Sequence, residues 1–235
     1  NNSCGSNSLV YGSTREHTME IKGILSDGSR VHFKDLEFDE FNAKCTLQNL
    51  EGDIYRHIRS TLSNYSNQEE IRAQFPKSSV RRRNTGYAID MLLDTDPFVS
   101  GTSLFNFCKL ICGSEGTLVF ITEIKLHLNK LPTKPSALLC IHFNAIEEAL
   151  RANLIVLKHN PLVSELMDQY ILDCTKNNLE QSQNRFFVHD DPAAVLIVEY
   201  DGETVEDIQH KVEVVKAELL AADLGYYFPL IFFVF

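Results

Sequence analysis

The chain has 235 residues, of which 44% are hydrophobic, enough for one large or two modest globular domains. It carries 22 lysines and arginines against 32 aspartates and glutamates, a formal net charge of −10. This balance disfavours nucleic acid or an anionic membrane as the main partner, because both repel a negative surface. The local exception is Arg81-Arg82-Arg83, which could hold a carboxylate or phosphate but is more often a solvated face.

The six cysteines are scattered and form no C-x-x-C pair. Only Cys108 and Cys112 lie near each other, at an i,i+4 spacing. Because a zinc or iron–sulfur site needs four clustered ligands, the pattern predicts buried reduced thiols, no metal site and a cytoplasmic protein. Peripheral association of the full-length protein with a membrane stays open.

The two ends of the chain look cut from a longer protein. The chain begins Asn1-Asn2-Ser3 with no signal peptide, and residues 226–235 form an apolar run interrupted by Pro229. That run is about half as long as a membrane-spanning helix. We expect it to be a truncated core strand, with self-association through its uncovered edge.

The first half of the chain alternates between loop, strand and helix patterns. Residues 1–11 are rich in Asn, Ser and Gly and predict a loop. Residues 17–33 predict a β-hairpin, because Asp27-Gly28 separates two extended runs. The apolar spacing over residues 47–74 predicts two short helices.

Residues 94–101 predict turns, residues 104–111 a helix and residues 118–128 a strand. Residues 131–135 contain two prolines, which cannot continue a helix or a central strand. We therefore place a domain boundary there, between domains of residues 1–131 and 137–235.

The second domain follows a β-then-α pattern. Strands are predicted over residues 137–143 and 194–200, and residues 163–174 are either extended or helical. A helix over residues 145–158 would share a face of Ile146, Leu150 and Leu154. The last predicted helix shows apolar residues at spacings of 3, 4, 3 and 4, which are Val205, Ile208, Val212, Val215 and Leu219. We expect an α+β fold, with helices on one side of a sheet.

The segment Gly113-Ser114-Glu115-Gly116 is the most constrained stretch of the sequence. Glycine allows close approach of the backbone to a ligand, and the exposed N–H groups of such a turn can bind phosphate oxygens. Taken alone, a glycine turn before a strand is usually only a turn.

Three motifs in order carry a resemblance to a known family. They are Asn1-Asn2-Ser3-Cys4-Gly5-Ser6 with Leu9-Val10-Tyr11-Gly12-Ser13-Thr14, then Asn84-Thr85-Gly86-Tyr87, then Gly113-Ser114-Glu115-Gly116-Thr117-Leu118 with Ile121-Thr122. Together they resemble the FAD-linked oxidases of the vanillyl-alcohol oxidase and p-cresol methylhydroxylase superfamily. The D-lactate, glycolate and D-2-hydroxyglutarate dehydrogenases look most similar.

The resemblance implies that residues 1–131 are the second subdomain of a PCMH-type FAD-binding domain. Residues 137–235 would begin an α+β, ferredoxin-like cap domain. The pyrophosphate loop of the family's first subdomain and the far end of the cap fall outside this chain. Val119 stands where the family usually has glycine.

Carried over residue by residue, the resemblance places one set of residues at the FAD. These are Asn2, Ser3, Gly5, Ser6, Gly12, Ser13, Gly113, Ser114, Glu115, Gly116 and Ile121, the last through its backbone. Small residues with free N–H and hydroxyl groups suit an anionic diphosphate. The alternative for Glu115 is a carboxylate that only caps the loop.

The resemblance implies oxidation of a small 2-hydroxy acid by hydride transfer to FAD. No catalytic residue is assigned, because the candidates His17, His127, His142 and His189 are more often structural. The electron acceptor stays open, and we expect this chain alone to bind FAD weakly or not at all and to be inactive. The alternatives are a non-catalytic binding or assembly module, and an oxidase of larger alcohols or phenols.

Overall fold

The computed structural model describes residues 2–77, 79–80, 83 and 86–232. The chain divides into two compact units, residues 1–129 and residues 130–235. The division lies beside the proline-containing segment 131–135. The assignment of residues 1–131 to an FAD-binding domain and of residues 137–235 to a cap domain stays a prediction.

The first unit contains a three-stranded antiparallel sheet in the order β2-β1-β3. Its strands are β1 (Thr18–Ile24), β2 (Arg30–Phe33) and β3 (Phe120–Leu126). The predicted hairpin is confirmed: β1 and β2 pair directly, and Gly28 turns the chain at φ +84°. The predicted strand over residues 118–128 is confirmed as β3, which lies at the sheet edge.

The helices described in the first unit are α1 (Ser8–Tyr11), α2 (Thr14–His17), α3 (Phe38–Thr46), α4 (Leu50–Leu62), α5 (Tyr65–Gln74), α6 (Ile89–Leu93) and α7 (Cys108–Ile111). The two helices predicted over residues 47–74 are confirmed as α4 and α5. Residues 1–11 are not loop throughout, because the N–H groups of Tyr11 and Gly12 bind the carbonyls of Asn7 and Ser8 and close α1.

The predicted helix over residues 104–111 is wrong in its first half. Phe105 forms a β-bridge with Leu36, whose N–H donates to the Phe105 carbonyl at 3.0 Å. This pairing buries the Phe105 ring completely and delays the helix to Cys108. Tertiary packing thus overrides the local helical pattern.

The core of the first unit is built on aromatic rings packed edge to face. The Phe105 ring lies 4.8 Å from Phe41 and 4.9 Å from Phe107, and Tyr55 lies 4.8 Å from Phe107. Such pairs contribute about 1 kcal/mol each beyond the burial of their area. This core supports α4 on one side and the segment leading into α7 on the other.

The second unit is a four-stranded antiparallel sheet in the order β5-β6-β4-β7. Its strands are β4 (Ser136–Phe143), β5 (Val163–Asp168), β6 (Ala194–Asp201) and β7 (Leu230–Phe232). The predicted strands over residues 137–143 and 194–200 are confirmed. The expected terminal strand forms the β7 edge, and residues 233–235 lie outside the described residues.

The second unit has three α-helices in its described part: α8 (Ile146–Val156), α9 (Gln169–Lys176) and α10 (Val205–Ala221). The last predicted helix is confirmed as α10, which buries Ile208, Val212, Val215 and Leu219 against the sheet, whereas Val205 at its first turn is 41% exposed. The expectation of helices on one side only is incomplete, because Leu172 of α9 packs with Cys140 and Val195 on the opposite sheet face.

The face predicted for the helix over residues 145–158 is wrong. Ala149, Ala152 and Val156 of α8 are fully buried, whereas Ile146, Leu150 and Leu154 are 42%, 56% and 68% exposed. Small side chains let the helix approach the sheet closely, so its large residues lie on the outer side.

In the described part of the chain, every helix is too short or too polar to cross a lipid bilayer.

The most buried titratable side chain of β4 is His142, which has no exposed surface. Its Nδ1 lies 3.2 Å from the Cys140 carbonyl, and its Nε2 accepts the N–H of His189 at 3.2 Å. Burial lowers the pKa of His142 and nearby His189 adds to this, while the Cys140 carbonyl and Asp190 oppose it. The imidazole is therefore held neutral, with its proton on Nδ1.

We predict that His142 makes the folded state less stable in acid. A lowered folded-state pKa means that its contribution is complete above the unfolded pKa of about 6.5 and is lost as pH falls from there through the folded pKa. Over that range the free energy of unfolding should fall by at most about 1.4 kcal/mol per pH unit. Urea unfolding between pH 8 and pH 5 should show this fall in the free energy of unfolding. The His142→Gln variant should show a smaller dependence on pH. An equal slope in both proteins would contradict the prediction.

Candidate functional site

The short helix α2 begins with a capping box in which Ser13 and Glu16 satisfy each other. The Ser13 N–H donates to Glu16 Oε2 at 2.6 Å, and the Ser13 hydroxyl donates to the same carboxylate. Burial opposes ionisation of Glu16, but these bonds outweigh it and lower its pKa. Ser13 is thereby fixed just after Gly12, which turns at φ +85°.

Arg15 of α2 is buried to 1% exposure. Its Nη2 donates to the carbonyls of Cys112 at 2.6 Å and Gly86 at 2.8 Å, and its Nε also donates to Cys112 at 3.2 Å. Burial lowers the pKa of Arg15, while Cys112 and Glu16 oppose the shift. One side chain therefore joins α2 to Gly86 and to the start of the glycine loop.

The N-terminal motif is bound to the same place. The Oδ1 of Asn2 accepts the N–H of Arg15 at 2.8 Å and lies 3.0 Å from the hydroxyl oxygen of Ser13. The hydroxyl of Thr14 donates to the carbonyl of Ser3 at 2.6 Å. Asn2, Ser3 and Ser13, three of the predicted site residues, therefore lie together.

Gly5 and Ser6 lie on the same segment, between Asn2 and α1. The carbonyl of Gly5 accepts the N–H of Ser8 at 3.0 Å, and a Cβ built on Gly5 would meet no atom within 4 Å. The segment therefore has open space beside it at Gly5.

The glycine loop has an unusual backbone, with Gly113, Glu115 and Gly116 at φ +100°, +52° and +79°. A Cβ on Gly113 would lie 2.7 Å from Arg15 Nη2 and 2.8 Å from the Gly86 carbonyl oxygen, so only glycine fits there. A positive φ at a residue other than glycine costs about 1–3 kcal/mol and is enriched at ligand-binding sites. The loop thus keeps an unfavourable shape because Arg15 and its partners hold it.

Hydrogen bonds close the loop and leave its tip open. The N–H of Ser114 donates to Ile111 at 3.0 Å, and the N–H of Thr117 donates to Ser114 at 3.1 Å. Within residues 2–77, 79–80, 83 and 86–232, the N–H groups of Glu115 and Gly116 donate to no carbonyl, and both residues are exposed. Consecutive exposed amides of this kind form an anion-binding concavity.

The carboxylate of Glu115 makes no hydrogen bond or ion pair with any residue the structure describes, so the loop-capping alternative for Glu115 has no support. The Thr117 hydroxyl takes that place, donating to the Ser114 carbonyl at 2.7 Å and lying 2.5 Å from the Tyr87 hydroxyl.

Val119, which stands where the resemblance leads us to expect glycine, is accommodated by a glycine on the neighbouring strand. A Cβ on Gly23 would lie 2.5 Å from Val119 Cγ2 and 2.8 Å from the Phe120 carbonyl oxygen. The β1–β3 register shifts between Lys22 and Gly23, where Gly23 pairs with Ile121. The missing side chain at Gly23 therefore makes room for Val119, and Ile121 remains 40% exposed on β3.

Two mainly apolar cavities lie beside the loop, of about 750 and 500 Å³. Leu110 and Leu118 line both, Gly86 and Tyr87 line the larger, and Val119 lines the smaller. Exposed amides next to apolar walls can bind a ligand that has both an anionic group and a flat ring.

The sequence prediction missed Arg15, Lys109 and Tyr87. Lys109 Nζ donates to the Arg15 carbonyl at 3.0 Å. The pattern Ser-x-x-Glu at residues 13–16 is a recognisable capping box that marks the start of α2, but no local pattern reveals that Arg15 reaches Cys112.

Of the basic run, Arg83 pairs with Asp90, while Arg81 and Arg82 lie outside the described residues, as do Asn1, Asn84 and Thr85. Four cysteines are buried, whereas Cys4 is half-buried and Cys174 is exposed, so the expectation of burial is wrong for these two. The described residues contain no group of metal-ligating side chains.

The chain is similar to an FAD-linked oxidase family in its second half and to D-2-hydroxyglutarate dehydrogenases over most of its length. Residues 133–227 match the family described as FAD linked oxidases, C-terminal domain. The D-2-hydroxyglutarate dehydrogenase of Pseudomonas putida is 28% identical over 213 residues, covering 89% of this chain and 20% of that protein. The Escherichia coli D-2-hydroxyglutarate dehydrogenase is 26% identical over 223 residues, covering 92% of this chain and 20% of its own length.

A solved structure of alkyldihydroxyacetonephosphate synthase also matches, at 13% identity and a TM-score of 0.46, covering 97% of this chain and 32% of that one. The chain spans about a fifth of the length of the curated relatives. The sequence relatives and the family match confirm the predicted resemblance to FAD-linked oxidases and FAD as the cofactor of the family. The helices and antiparallel sheets of the structure confirm the α+β fold.

We predict that Arg15→Met lowers the free energy of unfolding by about 3 kcal/mol, because it leaves the buried Cys112 carbonyl and the partly buried Gly86 carbonyl without their donor. Arg15→Lys can keep one of these bonds, so its free energy of unfolding should lie between those of Arg15→Met and the parent. The control is Arg59→Met, which removes an exposed arginine of α4 and should cost less than about 0.5 kcal/mol. Urea unfolding of the three variants decides this, and equal losses for Arg15→Met and Arg59→Met would contradict it.

Proposed function

We propose that this chain is part of an FAD-dependent oxidoreductase that oxidises a 2-hydroxy acid of the D-2-hydroxyglutarate, D-lactate or glycolate class. The family match and the names of the relatives support the proposal. Because the chain spans about a fifth of those relatives, the activity would belong to the complete protein.

The observation that carries the proposal is the pair of exposed amides at Glu115 and Gly116, held at positive φ. An anionic diphosphate needs N–H donors that have no other partner, and these two amides meet that requirement within the described part of the chain. The residues of the first unit therefore fit the cofactor.

In this proposal the amides of Glu115 and Gly116 bind the diphosphate, with Gly113 and Ser114 holding the turn. Asn2, Ser3 and Ser13 border the same region, with Gly5, Ser6 and Gly12 on the same chain segment and Ile121 on β3. When bound, FAD supplies a ring that accepts the hydride from the substrate Cα.

His17 and His142 do not supply an evident base. The ring nitrogens of His17 lie 2.6 Å from the Tyr11 carbonyl and 3.2 Å from the His127 carbonyl, and those of His142 have the partners given above. A general base must reach a substrate proton, and these rings are occupied by backbone groups. The catalytic residue stays unassigned.

Three further expectations remain proposals. Location in the cytoplasm is one. Self-association through the β7 edge is another, and weak or absent FAD binding by this chain alone is the third. A cofactor clamped between two subdomains loses about tenfold in affinity for each 1.4 kcal/mol of contacts that are absent.

We predict that Gly116→Ala weakens binding of FAD and ADP to this chain, because alanine at φ +79° is strained and distorts the amide pair. Gly101→Ala is a matched control: Gly101 has φ +76°, and a Cβ at either position meets nothing within 4 Å. Both variants should lose about 1 kcal/mol of stability.

The measurement is an NMR titration of ¹⁵N-labelled protein with ADP, FAD and riboflavin. ADP and FAD should shift the Glu115 and Gly116 amide signals, with weaker binding in Gly116→Ala and parent-like binding in Gly101→Ala. Signals that do not respond to ADP, or equal affinities in the two variants, would exclude the loop as the diphosphate site.

We also predict that the complete protein is yellow as purified and that its flavin absorbance bleaches under anaerobic conditions with D-2-hydroxyglutarate or D-lactate. The L-enantiomers are the control. A colourless protein that FAD cannot reconstitute would refute the proposed activity, and bleaching by larger alcohols alone would identify a different substrate class.

A further inference from the structure

β3 lies at an edge of the first unit's sheet, and its core-facing side is uncovered. Ile124 and Leu126 pair directly with Ile21 and Thr18 of β1, so each pair lies on one face of the sheet. Ile21 and Thr18 are 1% and 2% exposed, whereas Ile124 and Leu126 are 49% and 47% exposed. The apolar face of the sheet therefore continues one strand beyond the core that covers it.

The opposite edge of the same sheet is covered. The core-facing Val31 and Phe33 of β2 are 5% and 4% exposed. Beyond β2, the Leu36 N–H donates to the Phe105 carbonyl at 3.0 Å, so the chain continues into a further pairing there. Within the described part of the chain, β3 is thus the edge of this sheet that is left incomplete.

The backbone of β3 presents hydrogen-bonding groups to its open edge. The N–H of His127 donates at 2.8 Å to the carbonyl of His17, the residue just before β1. Successive N–H groups of a strand point to opposite sides, and β3 is paired without a skipped residue from Leu126 to Glu123. The N–H and C=O groups of Leu126 and Ile124 therefore point away from β1. A row of such groups binds another strand, because an extended segment matches their spacing.

The charged side chains of β3 do not block this edge. Glu123 and Lys125 lie on the outer face, where they pair with Lys22 and Glu20 of β1 at 2.8 and 2.6 Å. Natural edges are often protected by charges that face an incoming strand, whereas these two charges are directed to β1. A strand with apolar side chains at alternate positions, facing the core side, therefore fits the edge.

We propose that β3 is a docking edge for a further strand of the complete protein, an extended segment with alternating apolar side chains that lies outside this chain. The relatives indicate the source of the strand. This chain accounts for 20% of the length of the Pseudomonas putida relative, so most of such a polypeptide lies outside it. A segment of the same polypeptide also has a far higher effective concentration than a separate partner.

Residue-resolved hydrogen exchange of the complete protein tests this edge. The amides of Ile124 and Leu126 should exchange at least about 100-fold more slowly in the complete protein than in the isolated chain, because they donate to the docked strand. The His127 amide is the internal control, since it bonds to His17 without the added strand and should be protected in both forms.

Proline substitutions give a second readout. Ile124→Pro removes an N–H that points to the open edge, so the isolated chain should tolerate it. In the complete protein it should raise the exchange rate of the Leu126 amide to that of the isolated chain. Lys125→Pro is the matched control: by the same alternation it removes an N–H that points to β1, and it should disrupt the β1–β3 pairing in both forms.

Rapid exchange of the Ile124 and Leu126 amides in the complete protein would overturn the proposal. Protection that rises with protein concentration would assign the edge to a second copy. Protection that appears only when FAD is bound would assign it to the cofactor. Either of these results would also overturn the proposal.

Discussion

The candidate site depends on the buried guanidinium of Arg15. Its donors satisfy carbonyls at Cys112 and Gly86, two points far apart in sequence, while its own backbone N–H and C=O bind Asn2 and Lys109. A buried charge is costly unless it is fully hydrogen-bonded, so this side chain admits few alternative arrangements. The positive φ angles of the glycine loop persist because this network fixes the loop's base.

Two glycines are required because specific side chains occupy the space that a Cβ would need. Gly113 is required because Arg15 and Gly86 occupy the space of a Cβ, and Gly23 is required because Val119 does. The space that the Val119 side chain needs is therefore provided by Gly23 on the neighbouring strand. The exposed amides at Glu115 and Gly116 precede Val119 in the sequence and do not include it.

Local patterns were sufficient for much of the fold. Asp27-Gly28 predicts the hairpin, and the spacing of Ile208, Val212, Val215 and Leu219 predicts α10 and its buried face, because both depend on neighbouring residues. The α8 face could not be predicted, since the sheet selects alanine for close packing. The burial of Arg15 and the strand-like pairing of Phe105 depend on contacts more than 60 residues away in sequence. The assignment of the site residues to FAD came from the resemblance.

The central claim is that the loop held by Arg15 binds the diphosphate of a dinucleotide through the amides of Glu115 and Gly116. The most direct test is a crystal structure of the complete protein with its flavin bound. The account predicts diphosphate oxygens at about 3 Å from both amide nitrogens, with the Arg15 bonds to Cys112 and Gly86 intact. A diphosphate bound elsewhere, with these two amides facing water, would contradict it.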